Sequence, residues 1–191
     1  MLFCNKRNWL FYSLLFVLLQ FYLIANIGHT GEMTKEMLEA IHNGDLNSVN
    51  ALIAKGMDVN AADSSGNIPL IYAAKNGNSE CVKILLNNGA YVNSQCSMQC
   101  TPLMWSEANG HTDIVKVLIN NGAALNSCDF YGWTALMKAI YGGHVEIVKA
   151  LVESRANVNI KNNGGITALY IAELKAEPEI LHLLKEAGAK K

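Results

Sequence analysis

The chain has 191 residues and a formal net charge of −1, enough length for one domain with a sizeable core. Phosphate binding needs clustered positive charge, so this balance argues against nucleic acid as a partner. Charged residues make up 16 % of the chain, against about 25 % in ordinary soluble domains, and part of the deficit lies at the N-terminus.

Residues 1–31 form the first segment. Lys6 and Arg7 give it a basic start, and Trp9 to Ile27 is apolar apart from Ser13, Gln20 and Asn26. A secretory signal has a basic start, a short apolar core and a small-residue cleavage site. A membrane anchor needs about 20 apolar residues. The 19 residues from Trp9 to Ile27 are long for a signal core and just long enough to span. Residues 1–31 are therefore expected to be a hydrophobic helix serving as a signal peptide or a membrane anchor, and both readings stand. Positive charge on the N-terminal side would place the remainder outside the cytoplasm, as a secreted, periplasmic or single-pass anchored protein. Membrane contact is then expected only through residues 9–27, and only if the segment is retained.

After residue 31 the chain repeats with a period of 33. Gly44, Gly77, Gly110 and Gly143 keep that spacing, with Ala176 next in the series. So do Gly56, Gly89, Gly122, Arg155 and Gly188, and so do Asn60, Asn93, Asn126 and Asn159. Within each period the pattern predicts a turn, a short helix, a tight link and a second helix. Leu70, Ala73 and Ala74 share one face of the first helix, and Val82, Leu85 and Leu86 share one face of the second. Glycines such as Gly77 and Gly89 suit the left-handed position that ends a helix. Asp63 to Gly66 has the pattern of a tight turn.

The strings DSSGNIPLIYAAKNGN, CSMQCTPLMWSEANGH, DFYGWTALMKAIYGGH and NNGGITALYIAELKAE, each followed by a second helical stretch, resemble the ankyrin repeat. The resemblance covers residues 33–191 and implies an all-α solenoid of helix-turn-helix units joined by short hairpin loops. It divides residues 32–191 into an N-terminal capping unit (33–62), three full repeats (63–95, 96–128, 129–161) and a C-terminal capping unit (162–191). Thr34 is the expected N-cap of the first helix, and Pro178 opens the last one. The short array behind a hydrophobic leader is similar to bacterial ankyrin proteins.

Three departures from the pattern stand out. The motif's helix-opening histidine is replaced by Ile71, Met104, Met137 and Tyr170. Gln99 stands where a turn glycine is expected, and Arg155 where a helix-ending glycine is expected. A non-glycine residue at positive φ costs on the order of 1 kcal/mol.

No nucleotide-binding, nucleophile-elbow or other catalytic motif occurs, so the chain reads as a non-enzyme without a cofactor. His111 and His144 follow the inter-helix glycines and read as structural. Cys81 aligns with Ile114, Ile147 and Ile180, which makes it a core residue. Cys96, Cys100 and Cys128 lie in or beside hairpins. Their spacing completes no four-ligand metal site, and a disulfide among them stays open.

The resemblance implies binding of a protein partner through hairpin tips and the concave face of the first helices. Carried onto this chain, it singles out Met98, Trp105, Phe130, Tyr131, Trp133 and Tyr141 as partner-binding residues. Large, rigid aromatic residues clustered at the centre of a surface are typical anchors. The expectation is a monomeric, non-catalytic interaction module. The alternative is a structural tether or an enzyme inhibitor at the extracytoplasmic membrane face.

Overall fold

The computed structural model describes residues 33–190. The segment read as signal or anchor lies outside the described residues, so the expected N-terminal helix has no structural account. No helix of the described residues is long and apolar enough to cross a membrane.

Ten helices form five antiparallel pairs among the described residues. The first helices are α1 (Lys35–Asn43), α3 (Pro69–Asn76), α5 (Pro102–Ala108), α7 (Ala135–Tyr141) and α9 (Ala168–Lys175). Their second-helix partners are α2 (Leu46–Ala54), α4 (Ser79–Asn87), α6 (Thr112–Asn120), α8 (Val145–Glu153) and α10 (Pro178–Glu186). Each first helix packs on its own second helix and on the first helices before and after it, while the second helices stack in a parallel row. No unit covers its own apolar face, so the core runs continuously through the stack.

The ends of the helices follow from local chemistry. Thr34 accepts from the Met37 N–H at 3.3 Å and caps α1. Thr101, Thr134 and Thr167 cap α5, α7 and α9 in the same way. Ile68 holds that position before α3 and supplies no side-chain cap, so Pro69 at the first turn carries the helix start. Leu70, Ala73, Ala74, Val82 and Leu85 are fully buried, as their spacing predicts, and so is Cys81, while Leu86, read on the same face, is half-buried.

The three replaced glycine positions take the conformation that glycine would have taken. Gln99 has φ 59°, Arg155 φ 66° and Ala176 φ 53°, all left-handed. The histidine positions divide: Ile71, Met104 and Met137 are buried in the core, while Tyr170 is exposed. A ladder of asparagines ties the units together along one edge. Asn93 donates to the Gly122 carbonyl at 3.1 Å and accepts from the Ala124 N–H at 2.7 Å. Asn60 and Asn159 make the same pair of bonds to their next units.

Candidate functional site

The hairpin tips stand beside one another and are joined by backbone bonds. Ser97 N–H donates to Ser65 O at 2.8 Å, Phe130 N–H to Met98 O at 3.0 Å, and Asn163 N–H to Tyr131 O at 3.1 Å. The hairpin before α7 is built on Asp129. One of its carboxylate oxygens accepts from the Tyr131 and Trp133 N–H groups, both at 2.9 Å. The other meets Lys138 Nζ at 2.7 Å, in a pair whose carboxylate is 5 % exposed. Asp63 organises the hairpin before α3 in the same way, with a further bond from the Tyr72 hydroxyl at 2.6 Å. Burial raises the Asp63 pKa, but the Tyr72 and Asn67 bonds outweigh it and hold the carboxyl below its ordinary value. Cys96 holds the corresponding position before α5, so that hairpin has no carboxylate at its centre.

The aromatic residues singled out by sequence fall into two groups. Phe130, Tyr131 and Tyr141 are 57–59 % exposed, and Met98 is 44 % exposed. Trp105 and Trp133 are half-buried and lie against the core. Phe130 and Tyr131 meet edge to face at 5.4 Å, as do Trp133 and Tyr141 at 5.8 Å. Tyr131, Trp133 and Tyr141 line an open cleft of about 510 Å³ together with Ala108, Gly142 and the Asp129–Lys138 pair. The cleft exists because Ala108 and Tyr141 occupy equivalent positions in neighbouring units, and the small residue leaves space beside the large one. Met98, Phe130 and Trp105 are not part of its lining. A second cleft, of about 550 Å³, lies by the hairpin before α9 and is lined by residues including Lys161, Tyr170 and Glu173.

The pattern of the ankyrin family, "Ankyrin repeats (3 copies)", matches residues 37–129 and 109–191, most of the chain. The chain belongs to the ankyrin-repeat family. Ankyrin repeats are generally protein-protein interaction modules, and they are typically non-enzymatic. No curated protein matches the chain. In this ankyrin array His111 is structural: its Nε2 lies 3.2 Å from the Lys75 carbonyl, and its ring packs under Gly77. The four described cysteines are free thiols. Burial pushes Cys81 and Cys100 up to about 11, which leaves neither an effective nucleophile near neutral pH.

Two features of the ankyrin site escaped the sequence reading. The first is Glu107, which is fully buried, with neither carboxylate oxygen hydrogen-bonded. Burial raises its pKa well above the ordinary value, against the opposing pull of Lys138. Its position in the repeat gave the signal: Ala74 and Ile140 stand there in the flanking units. The second is a set of lysines laid on the aromatic rings. Lys75 Nζ stands 4.7 Å from the Trp105 ring centre, and Lys175 Nζ 4.2 Å from that of Tyr141. Both contacts join adjacent units, and neither could be read from spacing within one unit.

Proposed function

We propose that this ankyrin array is a non-catalytic binding module whose partner docks in the cleft between α5 and α7, against Tyr131, Trp133 and Tyr141. Residues 1–31 act as its signal or membrane anchor, so the array works as a monomer outside the cytoplasm. The cleft carries the reading: it combines a mainly apolar floor, exposed rings at its rim and a charge pair at its edge. Met98 and Phe130 extend the contact along the hairpin tips, and Trp105 supports the wall toward α3.

Several departures from the repeat pattern cluster at the same place. Cys96, Gln99, Ser106 and Glu107 lie in the unit at 96–128, which forms one side of the cleft, while Arg155 and Ala176 lie in the two units after it. Local rules of stability are most often broken where function requires it.

The test is affinity capture with the full chain beside two variants. Ala108→Leu fills the cleft from an exposed helical position, and Tyr141→Ala removes its rim. Circular dichroism is the check that both stay helical. A partner retained by the natural chain and lost by both folded variants supports the reading. A partner retained by all three places binding elsewhere. A Trp133→Ala, Tyr141→Ala double variant that unfolds would assign those rings to the core.

A further inference from the structure

Hairpins precede α3, α5, α7 and α9, and in three of them one side chain organises the turn. Asp63, Asp129 and Asn162 each accept, through a side-chain oxygen, from the N–H groups two and four residues on. The hairpin before α5 has Cys96 at that position and lacks such an oxygen. It also has Gln99, at φ 59°, where the others have glycine. A second cysteine, Cys100, holds the place of Asn67, Trp133 and Ile166.

The turn brings the two cysteines opposite one another. Cys96 N–H donates to Cys100 O at 3.1 Å, and Gln99 N–H to Cys96 O at 2.8 Å. Residues paired across antiparallel backbone in this way have Cα atoms about 5.5 Å apart. A disulfide spans about 4.4–6.8 Å between Cα atoms. Side chains at these two positions also reach each other: before α3, Asn67 Nδ2 donates to Asp63 Oδ2 at 3.1 Å. Before α5, burial does most to hold the proton on Cys100, and the Cys96 thiol beside it adds to that against the pull of Lys138. The other two described cysteines stand apart from this turn. Cys81 is fully buried on α4, and Cys128 directs its thiol at the Asn126 carbonyl at 3.7 Å.

We propose that Cys96 and Cys100 form a disulfide under oxidising conditions, closing the hairpin that has no carboxylate to organise it. The oxidant is a low-molecular-weight disulfide such as glutathione disulfide. The Cys100 thiolate attacks one of its sulfurs and releases one glutathione thiolate. The Cys96 thiolate then attacks the Cys100 sulfur, breaks the mixed disulfide and releases the second. Two electrons pass from the cysteine pair to the oxidant, and the two cysteine protons end on the released thiols. Cys100 keeps its proton up to about 11, so the first step is slow near neutral pH. The link fastens the hairpin tip, where Met98 lies between the two cysteines and its carbonyl holds the Phe130 N–H at 3.0 Å.

The experiment holds the full chain in reduced or oxidised glutathione until its thiol count is constant. The chain is then quenched in acid, unfolded and alkylated. Cyanogen bromide cleaves after Met98, between the two cysteines, and mass spectrometry reads which fragments stay joined. In oxidised glutathione the fragments on either side of Met98 should remain joined. Alkylation of Cys96 and Cys100 should fall at least tenfold, with Cys81 and Cys128 unchanged. Cys96→Ser and Cys100→Ser should each abolish the link, and Cys128→Ser should keep it. Equal alkylation of Cys96 and Cys100 in the two buffers overturns the proposal. So does a link that survives Cys96→Ser, or glutathione left attached to Cys100 in the natural chain.

Discussion

Glu107 occupies a position that Ala74 and Ile140 fill in the neighbouring units, and it is buried without a hydrogen-bond partner. Leaving such a group unpaired costs on the order of 1–3 kcal/mol, so Glu107→Leu should raise stability by an amount in that range. Urea denaturation of both chains measures it. The effect depends on pH. The folded chain keeps the Glu107 proton above the ordinary value of 4.5, where the unfolded chain has released it. Stability should therefore fall as the pH rises from about 4.5 through the raised native value, then level off. The Leu variant should show no such fall. Asp45 and Asp63 are held below their ordinary 3.8, so the stability they give is lost only at lower pH. Arg155 presents a simpler case. Its left-handed φ costs about 1–2 kcal/mol, and glycine would remove that while adding about 0.4–1 kcal/mol of chain entropy to the unfolded state. Arg155→Gly should thus stabilise by between zero and about 1.6 kcal/mol, read as a higher urea midpoint at unchanged slope.

The links between helices carry the cohesion of the stack. Gly77 has φ 79°, and a Cβ there would stand 2.6 Å from the His111 ring of the next unit. Gly122 has the same kind of φ with nothing within 4 Å. Both changes to alanine incur the left-handed penalty, but Gly77→Ala must also displace His111. It should be the more destabilising of the two, and thermal unfolding of the pair decides it. Asn93→Ala removes two bonds to the next unit and should cost about 1–2 kcal/mol of unfolding free energy in urea. These elements were the legible part of the chain. A period of 33 places glycines, asparagines and buried leucines at fixed intervals, and each has a local reason to sit where it does. Thr34, Pro178, Gln99 and Arg155 were readable for the same cause. The clefts were not, because Ala108 matters only through its distance from Tyr141 in the next unit. Lys175 was missed likewise, since its ring partner lies one repeat back. Sequence reasoning also treated the six aromatic and methionine candidates as one patch, whereas three of them line the cleft and the two tryptophans are half-buried.

At the scale of the whole molecule, the stack sets a layer of first helices that bears the aromatic cleft against a layer of second helices, of which α4, α6, α8 and α10 open with carboxylates. Contact with a partner through the first layer would leave the second in water. Hydrogen exchange of the captured complex tests that division most directly. Protection confined to residues 98–108 and 129–141, with α4, α6, α8 and α10 exchanging as in the free chain, is the predicted result. Protection centred on the second helices, or none near the cleft, would contradict it.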